Sequence, residues 1–80
     1  MAAREVVAFV LMRVEAGKEV EVLNEVLNKF RDSVTEARIT YGEYDIVVRV
    51  VAANMRALEA VISGIRRLNG VVHTVTLIAV

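Results

Sequence analysis

Apolar residues recur along this chain with two different periods, and the switches between them outline the fold. Residues 5–14 (Glu5-Val6-Val7-Ala8-Phe9-Val10-Leu11-Met12-Arg13-Val14) are apolar at odd and even positions and rich in β-branched side chains. That pattern predicts a central strand buried on both faces. Gly17 then opens a segment in which Val20, Leu23, Val26, Leu27 and Phe30 follow helical spacing. They predict one apolar stripe on an amphipathic helix. Glu19 and Glu21 near its start, and Lys29 and Arg31 near its end, match the sign of the helix dipole.

Residues 34–41 switch to period two, with Val34, Glu36, Arg38 and Thr40 on one side and Thr35, Ala37, Ile39 and Tyr41 on the other. A half-polar strand of this kind fits a sheet edge. Residues 44–52 return to apolar character on both faces, broken by Asp45 and Arg49. Between these strands Gly42 and Glu43 suffice for a hairpin, and glycine at the first turn position predicts a type II′ turn. Asn54 is a good N-cap for a second helix, whose stripe is Met55, Leu58, Val61, Ile62, Ile65 and Leu68. Asn69-Gly70 stops that helix, and residues 71–80 form a last, apolar edge strand.

The order is βαββαβ, which predicts an α+β ferredoxin-like domain: a four-stranded antiparallel sheet with two helices. Right-handed crossovers place both helices on one face. The other face then lacks cover although several strands are apolar on both sides, so a homodimer packed sheet to sheet is expected. Alternation assigns Tyr44, Ile46, Val48 and Val50 to the helix side. It also sets Val72, Thr74, Thr76, Ile78 and Val80 against His73, Val75, Leu77 and Ala79. Asp45, Arg49, Thr74 and Thr76 are expected on the uncovered face.

Composition narrows the function. Eighty residues make one domain, 1–80, which by itself buries only roughly 60–65% of its unfolded surface. With no cysteine, neither a disulfide nor a thiolate metal site can staple it, so oligomerisation is the available route to stability. Ten basic and ten acidic residues leave no net pull toward nucleic acid or anionic membrane. The longest apolar run, Val6 to Met12, has seven residues where about 20 are needed to span a bilayer. No signal-peptide pattern precedes it, and a cytoplasmic location is expected. The absence of Cys and Gln leans toward a thermophilic source.

Few residues invite chemistry. Asp45 beside the glycine turn could accept a hydrogen bond from a ligand ammonium while turn amides hold a carboxylate. It could equally cap its own turn or pair with Arg49. His73 stands alone, too little for a metal site, and reads better as a half-buried strand histidine than as a general base. Thr74 and Thr76 either line a polar pocket or belong to an ordinary cross-strand ladder. Arg56, Arg66 and Arg67 read as a solvated helix face. RNA-binding domains of this topology stack bases on aromatic residues of the central strands, and Ile46-Val47-Val48-Arg49-Val50 has none. No cofactor is implied.

Three features together resemble the effector-binding domain of Lrp/AsnC transcription regulators. They are the opening strand leading to Glu15-Ala16-Gly17-Lys18-Glu19, the turn Tyr41-Gly42-Glu43-Tyr44-Asp45 matching that family's Gly-x-Tyr-Asp signature, and Leu68-Asn69-Gly70-Val71 followed by Thr74-x-Thr76. The resemblance implies a non-enzymatic domain that dimerises through its sheet, assembles dimers into rings, commonly octamers, and binds amino acids in a cleft between dimers. It implicates Tyr41, Gly42, Tyr44 and Asp45 as ligand contacts, with Thr74 and Thr76 beside them. No helix-turn-helix precedes the first strand, so a stand-alone version is expected. Such a domain would sense amino acids or co-assemble with full-length regulators rather than bind DNA itself. Two rivals share the topology. A dimeric α/β-barrel monooxygenase-like enzyme needs an enclosed polar pocket under the helices, with His73 and Tyr44 available. An ACT-type regulatory domain would place its ligand near Gly17.

Overall fold

A computed structural model describes residues 4–80. The elements run β1 (Val6–Val14), α1 (Glu19–Lys29), β2 (Val34–Ile39), β3 (Ile46–Ala52), α2 (Met55–Arg66) and β4 (Val71–Ile78). The strands form one antiparallel sheet ordered β2-β3-β1-β4. Of the three strands read as apolar on both faces, β1 and β3 occupy the centre and β4 lies at one edge, with the half-polar β2 at the other. This is the expected ferredoxin-like arrangement.

Register sorts the side chains into layers, because directly paired residues share a face. Ala8, Val10 and Met12 of β1 pair with Val50, Val48 and Ile46 of β3. All six are completely buried under the helices. Val22 and Val26 of α1 and Leu58 and Ile65 of α2 close the core from above and are also completely buried. Among the described residues no polar or charged side chain is buried.

The second helix has a specific start and stop. The Asn54 side chain accepts a hydrogen bond from the Ala57 amide at 2.8 Å, the expected N-cap of α2. Gly70 holds φ +99°, and its carbonyl accepts from the Glu15 amide at 2.8 Å. A Cβ there would press on Lys18 and Val22 at 3.2 Å, so glycine is required for both conformation and space. The Phe30 ring, just past the end of α1, lies where a Cβ on Gly64 of α2 would stand, 2.7 Å away, so glycine there lets the ring pack on α2.

Three sequence expectations are corrected. The α1 stripe is rotated: Val22 and Val26 are buried, whereas Val20 is 61% and Leu27 41% exposed. Helical spacing fits both sets, and only the crossing of α1 over the sheet chooses between them. In β2 a register shift between Val34 and Glu36 breaks the alternation. Val34 therefore faces the core with Val50, while Glu36 and Arg38 face the opposite way with Arg49 and Val47. A bulge inserts one residue and so inverts every later side chain.

The third correction concerns β4. Thr74 and Thr76 pair with Met12 and Val10 and lie on the helix side, partly buried. His73, Val75 and Leu77 pair with Arg13, Leu11 and Phe9 on the open face. The assignment from the sequence was thus inverted for this strand. Alternation fixes which residues share a face, but only pairing with β1 says which face it is.

Candidate functional site

The connection between β2 and β3 is wider than a two-residue hairpin. The Thr40 amide donates to the Asp45 carbonyl at 2.8 Å, and the Thr40 hydroxyl donates to the Tyr44 carbonyl at 2.7 Å. Tyr41 to Tyr44 therefore form a four-residue loop closed by Thr40 and Asp45, in place of the expected type II′ turn. Gly42 at its tip has φ +132°, a region that side chains disfavour, and open space surrounds it. Tyr41 beside it is fully exposed.

Asp45 anchors this loop to the centre of the sheet. Its amide donates to the Met12 carbonyl at 2.8 Å, and its Oδ2 accepts from the Val14 amide at 2.9 Å. The second bond falls where the β1–β4 register shifts between Arg13 and Val14. Asp45 thus satisfies a backbone amide at the end of β1. It does not pair with Arg49, whose guanidinium donates instead to the Thr35 hydroxyl at 2.9 Å.

Arg13 completes the site from β1. Its guanidinium lies 5.6 Å from the centre of the Tyr44 ring and donates to Glu43 Oε2 at 3.1 Å. The Arg13–Glu43 pair is exposed, so it holds the loop weakly, by about 0–1 kcal/mol. Tyr44, read as leading the helix-facing row, precedes β3 and carries Arg13 on its ring instead. Beside Thr40 the open face dips into a shallow depression of about 300 Å³ lined by Phe9, Glu36, Arg38, Thr40, Val47 and Arg49.

The structure brings Tyr41, Gly42, Tyr44 and Asp45 together with Thr40, Glu43 and Arg13. Thr74 and Thr76 lie across β1 from them, on the other face of the sheet. Arg13 carried no local signal, because thirty residues separate it from Glu43 and only the pairing of β1 with β3 joins them. Thr40 was legible as a strand residue but not as the clasp of the loop. Among the described residues no group of His, Cys, Asp and Glu could hold a metal ion.

Asp45→Ala is expected to destabilise the fold by about 1–3 kcal/mol, because it strips the Val14 amide of its acceptor. Asp45→Asn keeps an oxygen there and should cost less than half as much. Urea denaturation of both variants checks this; equal losses would mean that the charge, not the hydrogen bond, supports the loop.

Residues 7–80 match the Lrp/AsnC ligand binding domain family. This chain belongs to that family. Within it, the HTH-type transcriptional regulator FL11 of Pyrococcus abyssi is 34% identical over 71 residues, 89% of this chain and 46% of the regulator. The chain therefore spans about half the length of that curated relative. The crystal structure of FFRP-DM1 superposes with a TM-score of 0.87 at 39% identity, covering 94% of this chain and 99% of that one. E. coli AsnC superposes with a TM-score of 0.73 at 31% identity, over 92% of this chain and 50% of AsnC. An effector-binding regulatory module is the class that fold and relatives support. Among the described residues no helix is long and apolar enough to cross a membrane.

Proposed function

We propose that this chain is an amino-acid-binding and oligomerisation module that works as a homodimer, sheet face to sheet face, with further assembly of dimers. The observation that carries the reading is the Gly42 loop. It is held rigidly at its base through Asp45 and Thr40, while Tyr41 and the Gly42 backbone stand free at the edge of an uncovered apolar sheet face. A loop fixed at its root and bare at its tip can offer backbone amides to a carboxylate. The second Asp45 carboxylate oxygen, which makes no hydrogen bond among the described residues, is suited to an ammonium. A ligand lodged between this loop and a neighbouring subunit favours the assembled state by its differential affinity for it. Regulation of transcription would follow through co-assembly with regulators that carry a DNA-binding part, in the cytoplasm.

The monooxygenase-like reading needs a polar pocket under the helices. Among the described residues no polar side chain is fully buried, only the partly buried Thr74 and Thr76 lie on the helix side, and His73 faces outward on the open sheet. The ACT-like reading needs ligand-holding groups near Gly17, where Glu15 and Lys18 are instead engaged with each other in an ion pair at 3.7 Å.

A panel of the twenty amino acids, read by thermal unfolding and light scattering, tests the reading. A cognate amino acid at a hundredfold excess over Kd should stabilise the protein by about 2.7 kcal/mol. For a domain of this size that is a rise of roughly 10–20 °C in Tm. Asp45→Asn should fold yet lose most of this response. A flat response to every amino acid would leave only the structural role.

A further inference from the structure

Two adjoining hollows meet where α2 ends and β4 begins. The first, of about 310 Å³, is lined by Arg66, Val71, Val72, His73 and Thr74. The second, of about 350 Å³, is lined by Ser63, Arg66 and Arg67. Arg66 belongs to both, and no carboxylate lines either. Both arginines are exposed and have no ion-pair partner among the described residues.

Strand register shapes the first hollow. Arg13 pairs with His73, but Val14 pairs with Val71. Val72 is therefore an extra residue on β4, a bulge, and it is 66% exposed. Past the bulge the ladder is regular. The Ala79 amide donates to the Val7 carbonyl at 2.8 Å, so backbone bonding recurs at Phe9–Leu77, Leu11–Val75 and Arg13–His73. Thr74 falls between two such pairs and turns its amide away from β1. No strand lies on that side of β4, so this amide points off the sheet edge.

The donors gathered here are the Arg66 fork, the Thr74 amide and hydroxyl, and the His73 ring, with Arg67 and Ser63 adjoining. None of these side chains makes a hydrogen bond among the described residues. Capping of α2 does not occupy the arginine side chains. The Gly64 carbonyl accepts from the Arg67 amide at 3.2 Å, and the Ile65 carbonyl from the Leu68 amide at 3.1 Å. The helix end opposes an anion with about half a charge, against two full charges on the arginines. Glu59, the one acid of α2, lies about two turns before Arg66. Glu15, near Gly70, is held by Lys18 at 3.7 Å.

We propose that these hollows bind a phosphate monoester. A guanidinium fork matches two phosphate oxygens, and the Thr74 amide and hydroxyl and the His73 ring can donate to the rest. A phosphate monoester offers three acceptor oxygens and nearly two negative charges, which suits two arginines and several neutral donors. A single carboxylate offers two oxygens and one charge, and would leave part of the set idle. The first hollow is at the lower end of small-molecule pockets, about 300–1,000 Å³, so it has room for more than the phosphate. The ester's organic part would lie against Val71 and Val72. The site uses no residue of the Gly42 loop, so it stands or falls apart from the amino-acid reading.

His73 is the only histidine, so its ring signals report on this site alone in an NMR titration. Glycerol phosphate should shift them saturably, and inorganic phosphate should bind more weakly. Arg66→Gln should weaken glycerol phosphate binding by about tenfold or more, the loss expected for hydrogen bonds between charged partners. Thr74→Val should weaken it less, because the backbone amide remains. Arg56→Gln, at the opposite end of α2, should leave it unchanged. Circular dichroism melting of each variant checks that the fold is kept. A shift that fails to saturate, that sodium chloride at equal ionic strength reproduces, or that Arg66→Gln leaves intact would overturn the site. Inorganic phosphate binding as tightly as glycerol phosphate would overturn the ester and leave the free ion as ligand.

Discussion

Replacing Leu58 with alanine is expected to lower the unfolding free energy by about 2–5 kcal/mol, the range for emptying a fully buried leucine site. Leu58 has no exposure and sits on the face of α2 that packs against the sheet. Alanine is the best helix former, so the substitution leaves the propensity of α2 intact and isolates the loss of packing. A domain of 80 residues has a total stability of roughly 4–12 kcal/mol. The loss is therefore a large fraction of the whole, and Tm should fall by roughly 10–30 °C. Val20→Ala on the same helical layer supplies the contrast. Val20 is 61% exposed and should change stability by less than about 0.5 kcal/mol. Chemical denaturation of both variants decides the matter. Similar losses at the two positions would mean that α1 seats its other stripe on the sheet.

The second large effect is expected at Phe9. It lies at the centre of the open face, in register with Arg49 of β3 and Leu77 of β4, and is 36% exposed although aromatic. In the proposed sheet-to-sheet dimer it is a central anchor. Truncating or charging such a position typically costs about 2–4 kcal/mol of association, which is roughly 30- to 700-fold in Kd. Phe9→Glu should abolish association through this face while α1, α2 and the core stay in place, because its side chain contributes nothing to the buried layer. Wild-type Tm should rise with protein concentration, as mass action requires when folded chains associate. In the variant that part of the rise contributed by the sheet contact should vanish. Unchanged mass and an unchanged concentration dependence would sink the sheet-to-sheet dimer.

The site was partly legible before any coordinates. Gly42 between two aromatics and followed by Asp45 marked the loop, because glycine beside a carboxylate is what a turn exposing backbone amides requires. What the loop does with Asp45 was not legible. Turn capping and an Arg49 pair were the local alternatives, yet its partners are Val14 and Met12, some thirty residues away. Sequence neighbours compete for a carboxylate only until a strand paired from elsewhere brings an unsatisfied amide within reach. Thr74 and Thr76 fell on the wrong face for a related reason. Their alternation was read correctly, but nothing in residues 71–80 says which row β1 will turn toward the helices.

By itself the sequence determined the element order, the central place of β1, the Asn54 cap, the Gly70 stop and the surplus of apolar surface that asks for a partner. Those follow from period, backbone preference and the count of apolar positions, all local quantities. Only the tertiary structure decided which α1 stripe is buried, where β2 bulges, which face carries His73 and which the threonines, and that Arg13, Glu43, Tyr44 and Asp45 form one cluster. These depend on strand register and helix crossing. Both are set by the summed packing of distant residues, in which several local patterns fit equally well until one of them closes the core.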